Sequence, residues 1–222
     1  MSRGATRVGG VVFDLDGTLV DTMPFVIEGL ATAVTPFRSR PTPEEVMSSL
    51  GGPSDACVRR LLGGTRHLSV ALAAYLEFLR QHDHVARPFR GARTLLRLLQ
   101  SKSMPIGLWT GRERGSTLER LRMLSWERTF DPMVCGDDLS SHKPDPEGLL
   151  KIVRSWQLTP AQVIFVGDSD QDIEGGRAAG VPTVAIGDGR RIAPGLRRNP
   201  VAVAPNPPAA YAWVRKMAWA GR

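Results

Sequence analysis

The sequence predicts an α/β fold: a Rossmann-like parallel sheet core with an inserted all-helical cap domain. A Val-rich apolar run at residues 8–13 is typical of a buried strand. Helical periodicity occupies residues 22–87, and after that point helices alternate with short apolar strands. Because strands that alternate with helices pair in parallel through right-handed crossovers, we expect a single parallel sheet. We therefore predict a core at 1–21 and 88–222 and a helical cap at 22–87.

The elements of the core follow one another at short intervals along the chain. We predict strands at 8–13, 105–110, 132–135, 163–166 and 183–186, and helices at 92–101, 116–124, 146–157, 172–179 and 209–218. The stretch between the last strand and the last helix is rich in Arg and Pro, and its composition predicts no regular element.

Length and cysteine content limit the class of protein. A chain of 222 residues with 42% hydrophobic content can bury a full core and has room for a smaller inserted domain. Cys57 and Cys135 have no C-x-x-C spacing, which argues against a disulfide framework or a zinc site. No apolar signal segment follows Met1, and no run of about 18 apolar residues occurs. We expect a cytoplasmic protein with no membrane partner.

The charge balance is basic, with a net charge of +7 and 25 arginines against four lysines. Such a balance suits a nucleic-acid partner or the attraction of small anionic substrates. The arginines are scattered, and aromatic residues are not interleaved with them. We therefore expect a small phosphorylated substrate and no nucleic acid, with either a monomer or a homodimer as the working form.

Polar residues follow the predicted strands at the points where those strands end. They are Asp14 and Asp16, then Thr110, Gly111 and Arg112, then Lys143 at the end of a loop, and finally Asp168 and Asp172. Because the carboxyl ends of parallel strands meet at one edge of a sheet, we expect these side chains to form one site. Several carboxylates gathered there repel one another unless a cation offsets their charge.

The residue types in this site predict phosphoryl-transfer chemistry. Carboxylates without His or Cys favour Mg²⁺, which also accepts water and a phosphate oxygen as ligands. We expect Asp14 to attack phosphorus as a covalent nucleophile. Asp16 is placed to protonate the leaving alkoxide and later to deprotonate the hydrolytic water. Thr110 and Lys143 are expected to hold the non-bridging phosphate oxygens.

Four segments in this order resemble the motifs of the haloacid dehalogenase superfamily of phosphatases. They are residues 14–22, Thr110, Lys143-Pro144-Asp145-Pro146, and Gly167-Asp168-Ser169 with Asp172, and the resemblance spans residues 8–187. It implies that Asp14, the main-chain carbonyl of Asp16, and Asp168 bind Mg²⁺. It also implies that Asp172 supports the metal waters and Lys143.

The helical insertion resembles the cap of the subgroup that includes phosphoglycolate phosphatases and β-phosphoglucomutases. Such a cap implies closure over the site and contacts with the substrate. The chain departs from the subgroup at Gly111-Arg112, where many members have Asn after the Ser or Thr. We expect Gly111 and Arg112 to contact the substrate in its place.

Several other classes of protein share part of this pattern with the phosphatases. Asp16 argues against a dehalogenase, which has no leaving alkoxide to protonate. The absence of lysine between Met1 and Ser101 excludes a cap lysine of the phosphonatase type, and no P-loop motif occurs. A phosphoglucomutase-like sugar-phosphate mutase shares every core residue and stays open. A phospho-accepting domain and a nucleic-acid-binding domain are the non-enzymatic alternatives.

Overall fold

Strands and helices alternate through much of the chain that the computed structural model describes, namely residues 7–50, 53–187, 192, 194–196 and 200–219. The strands are, in chain order, β1 (Gly10–Phe13), β2 (Val20–Asp21), β3 (Arg87–Pro88), β4 (Ile106–Trp109), β5 (Met133–Val134), β6 (Val163–Gly167), β7 (Thr183–Ile186) and β8 (Ala202–Ala204). The helices are α1 (Met23–Val34), α2 (Pro43–Ser49), α3 (Ser54–Leu62), α4 (Leu68–His82), α5 (Ala92–Ser101), α6 (Arg114–Met123), α7 (Glu147–Ser155), α8 (Asp170–Ala179) and α9 (Pro207–Trp219).

The main sheet has the strand order β5-β4-β1-β6-β7-β8, and every neighbouring pair is parallel. After β1 the chain builds outward through β4 to β5, then returns to the other side of β1 and builds outward through β6, β7 and β8. The order of strands therefore reverses at β1. In open parallel sheets, ligands bind at the carboxyl ends of the strands beside such a reversal.

Helices cover both faces of this sheet because each strand is apolar on both sides. Val11 and Phe13 pack on one face, together with apolar residues of α5 and α9. Val12 and Phe165 pack on the opposite face against apolar residues of α7. Near-continuous apolar runs are expected for strands buried on both faces, and this packing fixes the carboxyl ends of β1 and β6 side by side.

The helices between β2 and β3 have a hydrophobic cluster of their own, which includes Leu30, Val46, Val58 and Tyr75. The two short strands that flank this segment pair with each other in antiparallel fashion. The chain therefore enters and leaves the helical segment along adjacent paths.

The fold class predicted from the sequence is confirmed, whereas the domain boundaries at 21/22 and 87/88 stay a prediction. The bounds of α5 and β7 agree with the sequence prediction. Helix α8 begins two residues earlier than predicted because the Ser169 side chain caps it, accepting a hydrogen bond from the Asp172 N–H. Strand β8 was missed, since it lies in the stretch dominated by Arg and Pro. Within the described residues, no helix has the length and apolar character needed to cross a membrane.

Candidate active site

The ends of β1, β4 and β6 place Asp14, Thr110 and Asp168 along one edge of the sheet. The Asp14 N–H donates to the Val166 carbonyl at 2.9 Å, which continues the ladder between β1 and β6 by one step. The Thr110 N–H donates to the Val134 carbonyl at 3.0 Å. Asp14 and Thr110 are both buried, and the sheet hydrogen bonds hold their main chains in place.

Lys143 reaches this edge from the loop between β5 and α7. Its Nζ donates to Asp14 Oδ1 at 2.8 Å and to Asp172 Oδ1 at 2.6 Å. The ammonium also lies 4.8 Å from the centre of the buried Trp109 ring, a favourable position for a cation over an aromatic face. Burial alone lowers the pKa of Lys143, but the carboxylates of Asp14 and Asp172 outweigh it and raise that pKa. Lys143 is therefore held as a cation between two carboxylates.

Three carboxylates lie close together at this edge. Asp14, Asp168 and Asp172 each offer one oxygen, and these oxygens lie within 4.8 Å of one another. Burial, followed by the neighbouring carboxylate of Asp172, raises the pKa of Asp14 to about 7, although Lys143 counteracts this shift. Burial and the carboxylates of Asp14 and Asp172 raise the pKa of Asp168 well above its usual value. One ammonium does not offset three crowded carboxylates, so the cluster favours an additional cation.

Asp172 is anchored by the start of α8. Its Oδ2 accepts hydrogen bonds from the Ser169 hydroxyl at 2.6 Å, from the Ser169 N–H at 3.0 Å and from the Asp168 N–H at 3.2 Å. Its other oxygen accepts from Lys143. Asp172 therefore completes the capping box at the start of α8 and positions the lysine at the same time.

The turn after β1 brings Gly17 and Thr18 against Asp168. The φ of Gly17 is 80°, and a Cβ at that position would lie 2.2 Å from Asp168 Oδ2, so only glycine fits. The Thr18 hydroxyl donates to Asp168 Oδ1 at 2.9 Å. These contacts fix the orientation of the Asp168 carboxylate.

Asp16 is not part of the carboxylate cluster and pairs with Arg112. The Arg112 Nε donates to Asp16 Oδ2 at 3.0 Å, and Nη2 donates to Oδ1 at 3.2 Å. Burial on its own raises the pKa of Asp16, but the Arg112 guanidinium outweighs it and the pKa is lowered. Gly111 lies beside this pair, with its carbonyl close to Gly136. Sequence reasoning missed this ion pair, because nothing in the spacing of Asp16 and Arg112 indicates it.

The donor set fits a divalent cation such as Mg²⁺, because it consists of carboxylate oxygens alone. Among the described residues, the cluster contains Asp14 and Asp168, both expected as metal ligands, together with Asp172, which was expected to support the metal waters and Lys143. The carboxylate of Asp16 is outside the cluster, and the metal role of its main-chain carbonyl stays a prediction. The contacts of Gly111 and Arg112 with a substrate stay predictions as well.

Comparison with known proteins gives a consistent set of relatives. Residues 11–186 match the family described as haloacid dehalogenase-like hydrolase. The phosphoglycolate phosphatase of Shigella boydii serotype 4 is 30% identical over 204 residues, covering 81% of each chain. The pyrophosphatase PpaX of Halalkalibacterium halodurans is 28% identical over 183 residues, covering 82% of this chain and 84% of the relative. Among solved structures, the β-phosphoglucomutase of Clostridium difficile superposes with a TM-score of 0.81 at 16% identity, covering 95% of this chain and 97% of that one.

Proposed function

The chain belongs to the haloacid dehalogenase-like hydrolases, and from that premise we propose that this phosphatase hydrolyses a small phosphorylated metabolite. We further propose Mg²⁺ as its cofactor and an aspartyl-phosphate on Asp14 as its intermediate. The observation that carries the proposal is the contact of Lys143 with both Asp14 and Asp172 beside Asp168. This arrangement supports the proposal, because it brings the proposed nucleophile, the lysine ammonium and the proposed metal ligands together at one edge of the sheet.

Asp14 is the proposed nucleophile because it ends the central strand and one of its oxygens is held by Lys143. Its carboxylate oxygen attacks phosphorus, and the bond between phosphorus and the ester oxygen breaks. A bound Mg²⁺ would screen the repulsion between the nucleophile and the phosphate dianion and would polarise phosphorus. Asp14, Asp168 and the Asp16 main-chain carbonyl are the proposed ligands, and Asp172 is the proposed support for the metal waters.

Thr110 and Lys143 are proposed to stabilise the charge on the transferring phosphoryl group. The Thr110 oxygen accepts a hydrogen bond from the Arg112 N–H at 3.2 Å, which leaves the hydroxyl proton available for a phosphate oxygen. Lys143 is held rigidly, so its charge need not be reorganised during the reaction.

Asp16 is the proposed acid and base. It gives a proton to the leaving alkoxide oxygen in the first step. In the second step, water attacks the aspartyl-phosphate, one water proton returns to Asp16, and inorganic phosphate leaves. In the second step, Asp16 therefore regains the proton that it gave up in the first.

The names of the two curated relatives suggest which substrates to examine first. One is named for phosphoglycolate and the other is a pyrophosphatase. Both compounds carry a second anionic group close to the phosphoryl group, so we propose small phosphorylated acids as the first candidates. We also propose that residues 22–87 form a cap that closes over the substrate. A cytoplasmic location, the absence of a nucleic-acid partner, and the monomeric or homodimeric state stay predictions.

This function is tested by measuring the release of inorganic phosphate from a panel of phosphorylated metabolites, with and without Mg²⁺. We expect Mg²⁺-dependent release from at least one small phosphate ester. Isomerisation of a sugar phosphate without net phosphate release would instead support a mutase. No turnover of any ester in the presence of Mg²⁺ would contradict the proposal.

A further inference from the structure

Arg112 engages both oxygens of the Asp16 carboxylate in a two-pronged contact. Arg112 Nε donates to Asp16 Oδ2 at 3.0 Å, and Nη2 donates to Asp16 Oδ1 at 3.2 Å. The Arg112 side chain is only 7% exposed and that of Asp16 is 22% exposed. A planar guanidinium paired in this way with a shielded carboxylate is a strong and geometrically specific contact. In this arrangement, Asp16 presents its oxygens to Arg112 and not to a leaving group.

The main chain of Arg112 is fixed, so its pairing can change only through its side chain. Its N–H donates to the Thr110 hydroxyl oxygen at 3.2 Å. Its carbonyl accepts from the Gly136 N–H at 2.8 Å. Rotation about the side-chain bonds of Arg112 can nevertheless carry the guanidinium to another partner without any movement of the sheet.

We propose that the Arg112–Asp16 pair is a lock that the substrate opens: a second anionic group on the substrate binds the guanidinium, and the released Asp16 carboxylate takes a proton from water and passes it to the leaving oxygen. This inference rests on the proposed function, in which Asp16 protonates the leaving oxygen. The second group must offer two oxygens on one centre, as a carboxylate or a phosphate does, to replace the two contacts that Arg112 gives up. A neutral hydroxyl cannot replace a carboxylate as the partner of a buried guanidinium.

The lock predicts a substrate class and a kinetic signature. The preferred substrates are phosphate esters or anhydrides that carry a carboxylate or a second phosphate within a few atoms of the leaving oxygen. An ester with a neutral tail still binds through its phosphoryl group, but it leaves Asp16 engaged with Arg112. The second anion is therefore expected to change the rate of phosphoryl transfer, whereas a simple gripping role for Arg112 changes affinity.

Single-turnover measurements with enzyme in excess separate these two effects. They give the rate constant of phosphoryl transfer at saturation and the half-saturating enzyme concentration independently. The probes are phosphoglycolate, which bears a carboxylate, 2-hydroxyethyl phosphate, which has a neutral tail of similar size, and pyrophosphate, which bears a second phosphate. For the wild-type protein, we expect transfer from phosphoglycolate to be at least about tenfold faster than from 2-hydroxyethyl phosphate.

The variant Arg112→Met removes the guanidinium and keeps a side chain of similar length. We expect transfer from 2-hydroxyethyl phosphate to become faster than in the wild-type protein, and the difference between the two esters to shrink to within about threefold. Arg112→Lys, which retains the charge without the two-pronged contact, should fall between these cases. Arg128→Met, which removes an exposed arginine elsewhere on the surface, should retain the wild-type ratio.

An unchanged ratio in Arg112→Met, or slower transfer from 2-hydroxyethyl phosphate, would overturn the lock even if the wild-type protein is an active phosphatase. Equal transfer rates of the two esters in the wild-type protein would overturn it too. Failure of the proposed function itself would be distinct, since the wild-type protein would then release phosphate from no ester of the metabolite panel.

Discussion

Tyr211 in α9 donates a hydrogen bond to the main-chain carbonyl of Thr18 at 2.7 Å, although the two residues are 193 positions apart in the sequence. Thr18 in turn donates through its hydroxyl to Asp168 Oδ1. The last helix of the chain is therefore connected by two hydrogen bonds to a carboxylate of the candidate metal site. Tyr211 is 2% exposed, so water does not readily replace its hydroxyl.

The first prediction concerns this connection. Tyr211→Phe removes the hydroxyl donor and should lower the free energy of unfolding by about 1–3 kcal/mol, the usual cost of leaving a buried acceptor unpaired. Because Asp168 then loses part of its support, the variant should also need several-fold more Mg²⁺ for half-maximal thermal stabilisation. Chemical denaturation and Mg²⁺ titration of Tm measure the two effects. A stability loss with an unchanged Mg²⁺ requirement would limit Tyr211 to a role in packing.

The second prediction concerns pH and metal binding. Burial and crowding raise the pKa of Asp14 to about 7 and that of Asp168 well above its usual value, so the metal-free folded protein holds protons that the unfolded chain has released. The protons on these carboxylates therefore stabilise the folded state most at low pH, and this stabilisation is lost as pH rises through about 7. Mg²⁺ competes with those protons, so its stabilising effect should grow over the same range of pH.

Thermal unfolding with and without Mg²⁺ at a series of pH values measures this linkage. Asp168→Asn, which removes one proposed ligand, should show a much smaller increase of Tm with Mg²⁺ at every pH. A Mg²⁺-induced increase of equal size in acid and at neutral pH would contradict the assignment of these carboxylates as ligands.

The third prediction concerns Lys143. Lys143→Met keeps the length of the side chain but removes the charge that contacts Asp14 and Asp172. The rate of phosphate release should fall on the order of 10²-fold or more, because transition-state charge and the buried carboxylates lose their cation. Lys102→Met, at an exposed lysine at the end of α5, is the matched control and should retain wild-type activity. Wild-type activity in Lys143→Met would show that this lysine takes no part in the reaction.

The fourth prediction separates acid catalysis from nucleophilic attack. Asp16→Asn should slow phosphoryl transfer from an alkyl ester with a second anionic group, such as phosphoglycolate, by about 10²–10⁴-fold, because an alkoxide needs a proton in order to leave. Transfer from 4-nitrophenyl phosphate should lose much less, since nitrophenolate leaves without protonation. Pre-steady-state rates for the two esters give the comparison, and equal losses on both would remove the acid role of Asp16.

The sequence predicts the parallel sheet and the strand-end positions of Asp14, Thr110 and Asp168, because apolar runs and the residues that end them are local features. It does not predict the partner of Arg112, since a long side chain with several torsions is directed by its surroundings. Glycine at position 17 is likewise explained only by the close approach of Asp168, which comes from a distant strand.

The contact that α9 makes with the turn after β1 is likewise not predictable from the sequence. A short helix near the end of the chain is visible in the pattern, but the Tyr211 contact depends on how that helix packs on the sheet. Strand β8, which precedes α9, adds to the sheet edge from a stretch whose composition predicts no strand. Long-range packing decides both features, and local propensity does not encode it.

The most direct test of the proposed reaction is the detection of a phosphoprotein by rapid quench with an aryl phosphate and Mg²⁺. The Asp16→Asn variant should accumulate an acid-stable, hydroxylamine-labile phosphoryl group, because the base that activates water is missing. Mass spectrometry should locate this group on Asp14, and Asp14→Asn should form none. Phosphoprotein in the Asp14→Asn variant, or a phosphoryl group on a different residue, would contradict Asp14 as the nucleophile.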